Sequence, residues 1–228
     1  MTVNLKDKEA LVKELFEAGA HYSYTKSRRH PSAIRYIFGQ KGKNDIFDLE
    51  QTVEMLEKAK EAIAELTKAD GQILFLGGKN EARDIMRNAA ERKNQPHSCG
   101  RYIGGTLTNF KEIRTRVDKL ENLMADRESG ALDKFTKLER LMIDREIEDL
   151  DQKFGGLLHM KKLPVAVFAV DPEFENKGVA EALQLGIPII AIANNDCDLA
   201  KVSYAIPAND TTRKSIQYLV DTLITAIK

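Results

Sequence analysis

The 228-residue chain carries 35 Lys and Arg against 35 Asp and Glu, so its net charge is zero and any surface for a polyanion has to be local. With 43% hydrophobic and 31% charged residues it can bury a sizeable core under a charged surface, as one large domain or one domain with an elaboration. The longest apolar runs, VAVFAV and GIPIIAIA, fall far short of the roughly 20 residues of a membrane span, and two distant cysteines, Cys99 and Cys197, make neither a disulfide framework nor a zinc ribbon.

The opening MTVNLKDKEALVKELF is charged and helix-periodic, which excludes a secretory segment and implies a cytoplasmic protein. Apolar spacing predicts a helix over residues 6–19 with Leu11, Leu15 and Phe16 inward. HYSYTKSRRHPSAIRYIFGQKGK then loses all period and reads as a loop. Asp48 is placed to cap the next helix, with Gln51 at the capping-box position and Leu49, Val53, Leu56, Ile63 and Leu66 as its inner stripe. GQILFLGG reads as a strand buried on both faces, and NEARDIMRNAAERK as the helix after it.

Beyond the turn RYIGGTLTN the pattern changes. Ile113, Val117, Leu120 and Met124, then Ile143, Ile147, Leu150 and Phe154, step by four, three and four on either side of RESGAL. Two long charged helices with narrow apolar seams predict an antiparallel, coiled-coil-like hairpin. Strand signatures return in LPVAVFAVDP, GIPIIAIA and YAIP, separated by the helix FENKGVAEALQL and closed by TRKSIQYLVDTLITAI. Strands alternating with helices predict an α/β fold with a doubly wound parallel sheet. Its domain is discontinuous, residues 1–110 and 154–228, and the helical hairpin 111–153 is an insertion.

Candidate chemistry is sparse. Gly77, Gly78 and Lys79 lie between a strand and a helix start that could hold an anion, but FLGGKNEA fits neither dinucleotide-binding nor P-loop spacing, and a tight strand-to-helix turn explains the glycines equally. A nucleotide-binding enzyme or sensor on that turn stands as the alternative function. No pair among the four histidines has H-x-x-x-H spacing and no G-x-S-x-G occurs, so neither metal nor nucleophilic catalysis is indicated and no cofactor is expected.

Local basicity is the stronger signal. Residues 22–44 hold Lys26, Arg28, Arg29, Arg35, Lys41 and Lys43 with no Asp or Glu, interleaved with Tyr22, Tyr24, Tyr36 and Phe38. Uncompensated cations beside rings suit an RNA backbone and its bases. A second cluster joins Arg101, Gly104, Gly105, Thr106, Thr108 and Asn109 to Lys111, Arg114 and Arg116 at the head of a helix, where backbone and hydroxyl donors suit phosphate and ribose. The same residues serve equally as a loop and helix cap.

YIGGTLTNFKEIRTR, taken with GAHYSY, RRHPSAIRYIFG, FGGLLHMKKLP, VFAVDP, LGIPIIAIANNDCD and YAIPAND, resembles bacterial small-subunit ribosomal protein two over nearly the whole chain. The residues that carry the resemblance include His21, Arg28, Pro31, Tyr36, Phe38, Gly39, Lys79, Arg101 and the run Gly104–Phe110. It implies a flavodoxin-like sheet with a protruding hairpin and no enzymatic activity. It also implies binding to small-subunit ribosomal RNA near the head/body junction, late subunit assembly, and seating of the large messenger-binding ribosomal protein. No membrane and no small-molecule substrate are implied. Tyr24, Arg29 and Asn194 depart from the family's usual His, Trp and Asp, which weakens any metal site between these loops and leaves phosphate contacts intact.

Overall fold

In a computed structural model, residues 5–227 are described. Residues 1–4, part of the opening segment read above, and residue 228 lie outside them.

Helix α1 (Leu5–Glu17) leads into a small antiparallel sheet of β1 (Tyr22–Thr25), β2 (Ile37–Lys41) and β3 (Asn44–Phe47), in the order β1-β3-β2. The expected loop over residues 22–44 is therefore corrected. Two short 3-10 segments, Lys26–Arg28 and Pro31–Tyr36, link β1 to β2. A two-residue turn joins β2 to β3, with Lys41 paired to Asn44 and Gly42 at φ +66°, the left-handed geometry that such a turn needs at its first central position. Irregular register between Tyr22 and Thr25 and between Ile37 and Gly39 hides the period of two from the sequence.

Helix α2 (Leu49–Leu66) is capped by Asp48, which accepts from the Glu50 N–H at 3.0 Å. Gln51 donates to the Asp48 carboxylate and the Arg35 carbonyl, so the reciprocal capping box does not form. The larger sheet then builds from β4 (Ile73–Leu76), α3 (Asn80–Arg92), the two-residue edge strand β5 (His97–Ser98), α4 (Phe110–Glu128), α5 (Lys137–Phe154), β6 (Ala166–Val170), α6 (Asn176–Gln184), β7 (Ile189–Ala193), β8 (Tyr204–Pro207) and α7 (Arg213–Ile224). All its pairings are parallel, in the order β5-β4-β6-β7-β8, the flavodoxin-like arrangement.

Strand alternation sends neighbouring residues into two cores. Ile73, Phe75, Phe168, Ile190, Ile192 and Ile206 pack against α1, α2, α3 and α7. Leu74, Leu76, Val167, Ala169, Ile189 and Ala191 pack with residues of α4, α5 and α6, with Tyr36 of the second 3-10 segment and with Phe47 of β3. Phe16, expected inward on α1, is instead 59% exposed while Leu15 is buried.

Helices α4 and α5 pack along Ile113, Val117, Leu120, Ile147, Leu150 and Phe154, and Lys119 pairs with Glu146 across them. A capping box starts α5: Thr136 caps the Glu139 N–H, and the Glu139 carboxylate accepts from the Thr136 N–H at 2.8 Å.

Candidate nucleic-acid interface

Parallel strands put the loops after β4, β5, β6, β7 and β8 on one edge of the sheet, which carries Lys79, Arg101 and, through Asp196, Arg28. The six cations of residues 22–44 divide into two groups. Arg29 is internal: its Nε lies 2.8 Å from Asp45 Oδ2, and Asp45, fully buried, also accepts from Gln40 and Asn195. Its assignment to an RNA surface is corrected by that burial. Arg28 pairs with Asp196 at 3.1 Å and lies over the Tyr24 ring at 4.2 Å, yet stays largely exposed. Lys26, Arg35, Lys41 and Lys43 are exposed and have no carboxylate partner among the described residues. Arg35 lies over Tyr36 at 4.7 Å and Lys41 over Tyr22 at 5.9 Å. Four uncompensated cations remain of the six expected.

The glycine turn holds an internal anion. Glu181 of α6 accepts from the N–H groups of Gly105 (2.6 Å), Leu107 (2.9 Å) and Thr108 (3.0 Å) and from the Thr108 hydroxyl (3.1 Å). Burial works against this carboxylate, but the four donors outweigh it and its pKa is lowered. Thr106 is buried and donates to the Ile103 carbonyl. The amide and hydroxyl donors expected to meet phosphate thus set the shape of the turn instead. Arg101, Gly104, Asn109, Lys111 and Arg116 are exposed, and so is Thr108, although its hydroxyl is held by Glu181. Arg114 is turned inward, bound to Asp118, Glu121 and the Leu158 carbonyl.

Between β4 and β6 lies the crevice in which a sheet of this order holds ligands. Here the chain fills it. Lys79 sits 2.9 Å from Asp171 and 3.0 Å from Asp210, and all three side chains are buried or nearly so. Burial disfavours the ammonium, yet Asp210 and Asp171 together raise its pKa. Gly78 donates its N–H to Glu175 at 2.5 Å, and a Cβ on Gly78 would stand 2.6 Å from the Gly100 carbonyl. Lys79 is therefore an internal counter-ion and not a phosphate contact. The turn proposed for a nucleotide has its anion position taken by a protein carboxylate. Among the described residues no group of three His, Cys, Asp or Glu is placed to hold a metal ion. Both cysteines are buried, and burial pushes the Cys99 thiol up to about 12.

Glu175 gives a pH prediction. Burial first, and Asp171 after it, push its pKa up to about 7 against the pull of the Gly78 N–H. Unfolded, the group titrates near 4.5, so through the intervening pH range the folded chain holds a proton that the unfolded chain has released. Stability therefore falls as pH rises across that window. In urea unfolding Glu175 should contribute about 2 kcal/mol more stability near pH 5 than near pH 7.5, and Glu175→Gln should remove that share and leave the part due to Asp210, whose pKa is also raised.

The sequence profile of the family described as Ribosomal protein S2 matches residues 15–228. The chain belongs to that family. Two curated relatives, each called Small ribosomal subunit protein uS2 and each from a strain of Thermus thermophilus, are 41% identical over 219 residues, covering 96% of this chain and 86% of theirs. Ribosomal protein S2 membership makes the chain a structural constituent of the small subunit, acting in translation and located with the ribosome in the cytoplasm. No helix among the described residues is long and apolar enough to cross a membrane.

Sequence reasoning missed Asp45, Glu175 and Glu181, the carboxylates that organise the site. Glu181 lies 73 to 76 residues from the donors it holds and Glu175 lies 97 from Gly78, so neither leaves a local signal.

Proposed function

We propose that the chain docks on folded small-subunit ribosomal RNA near the head/body junction, through Lys26, Arg28, Arg35, Lys41 and Lys43 on one side and Arg101, Gly104, Asn109, Lys111 and Arg116 on the other. The observation that carries this reading is the acid-free segment 22–44, where four exposed cations have no carboxylate partner in a chain with no net charge. Family membership supplies the partner class. Gly105, Thr106 and Thr108, latched to the interior, act as scaffold for the cations around them. Late assembly and seating of the large messenger-binding ribosomal protein belong to the same reading, on the strength of the family resemblance.

The α4–α5 pair, residues 111–153, serves as an arm toward neighbouring ribosomal proteins. Leu138, Leu141 and Met142 support this, since they stand exposed at helical spacing on α5.

Filter binding to small-subunit ribosomal RNA across salt concentrations tests the RNA reading. Five or so phosphate contacts should weaken binding roughly a hundred-fold or more between about 50 and 200 mM salt. An affinity that does not respond to salt would refute phosphate-led docking.

A further inference from the structure

A cavity of about 350 Å³ opens between β1 and the residues leading into α7, within the size range of small-ligand sites. Its walls combine Tyr22, Tyr24, Arg28, Asn44, Thr211 and Thr212, and no carboxylate lines it. These residues match the three parts of a nucleotide.

Tyr22 supplies a ring. His21 stacks on Phe16 at 4.4 Å and lies tilted against the Tyr22 ring at 4.1 Å, the Lys41 ammonium stands 5.9 Å from that ring, and Tyr22 remains 41% exposed. The contact with His21 orients the ring before any ligand arrives, which lowers the entropy lost on binding. Beside it, Ile46 pairs with both Tyr22 and Gly39, and a Cβ on Gly39 would meet nothing within 4 Å, so the sheet face next to the ring is open. Asn44 supplies a free edge reader, for its side-chain amide has no hydrogen-bond partner among the described residues. Phosphate has two places to go. Arg28 lines the cavity with its guanidinium also 3.1 Å from Asp196, and Thr212 makes no side-chain cap on α7, its hydroxyl accepting from Asn209 at 3.3 Å. The start of that 12-residue helix therefore has no side-chain oxygen on its first amides, the groups that favour an anion at a helix start.

We infer that this cavity receives one unpaired nucleotide of the bound RNA, with Tyr22 stacking on the base, Asn44 reading its edge, and Arg28 and the start of α7 meeting its phosphate. The inference rests on the RNA-docking reading above and names the nucleotide class for one part of it. A strand is favoured over a free mononucleotide because Lys26, Lys41 and Lys43, exposed and unpaired, extend the positive charge beyond the cavity.

The test is fluorescence anisotropy on the full chain with a labelled single-stranded oligoribonucleotide of about eight nucleotides, its duplex counterpart, and the four ribonucleoside monophosphates as competitors. The single strand should bind more tightly than the duplex. Tyr22→Leu should weaken the single strand by roughly 5- to 150-fold, while Tyr22→Phe, which keeps the ring, should bind like the parent. Thermal melts confirm folding of both variants. If Tyr22→Leu binds the single strand as well as the parent does while salt-dependent binding to ribosomal RNA persists, the cavity inference is overturned and RNA docking stands. Monophosphates that compete as strongly as the strand would overturn RNA as the source of the nucleotide. Absence of any RNA binding by the parent chain would overturn both.

Discussion

Replacing Lys79 with methionine is expected to cost about 3–5 kcal/mol of stability, because it leaves two carboxylates facing one another in the interior without their counter-ion. Asp210 is fully buried and Asp171 nearly so, and the ammonium lies within 3.0 Å of both. The expected readout is a lower urea midpoint with an unchanged slope, since the surface exposed on unfolding does not alter. Asp210 is already held above the ordinary aspartate range, by burial first and by Asp171 second, with Lys79 pulling it down. Without Lys79 its folded pKa rises further above the unfolded value. The loss should then be smallest at low pH, where Asp210 binds a proton in both states, and should grow toward neutrality.

The companion variant Lys79→Met with Asp210→Asn separates charge from packing. Asn194 donates to Asp210 Oδ1 at 2.6 Å, and an asparagine oxygen can accept that bond equally. The double variant should recover a large part of the lost stability, so that the two changes are strongly non-additive. A loss near zero in the single variant would mean that water, and not Lys79, satisfies these carboxylates. The crevice would then be open to water, while Glu175 would still hold the Gly78 N–H and keep the anion position of the Gly77–Lys79 turn filled.

Four strands of the larger sheet were legible, three of them, ILFL, AVFAV and IIAIA, as continuous apolar runs covered on both faces; the edge strand β5, two half-buried polar residues, was missed. The small sheet was illegible for the opposite reason. Its strands alternate only briefly, break register twice, and carry Gly39, Asn44 and Asp45, residues that a strand disfavours on propensity alone. At the site, the sequence revealed residue type but not pairing. Arg28, Arg29 and Lys43 look alike along the chain, yet one is half-engaged by Asp196, one is buried on Asp45 and one is free among the described residues. The double glycine of GGTLTN was read for donors that could meet an anion, and the donors do meet one. It is Glu181, from another element.

That division of the cations sets the prediction with the largest effect on binding. Lys26, Lys41 and Lys43 are exposed and unpaired, so changing all three to glutamine should alter stability by well under 1 kcal/mol. If each meets a phosphate, the same triple variant should lower the salt slope of ribosomal RNA binding by about 2 to 3 and weaken the affinity at every sequence tested. Arg29→Gln should behave in the reverse way. It removes the bidentate partner of a fully buried carboxylate, Asp45, which Gln40 and Asn195 alone then have to hold. Stability should fall by about 3–5 kcal/mol while the salt slope of the folded fraction stays where it was. The two variants therefore distinguish a cation that neutralises RNA from one that holds up the sheet presenting it. A triple-lysine variant with an unchanged salt slope would move the docking surface away from the small sheet and onto the cations at the head of α4, Lys111 and Arg116.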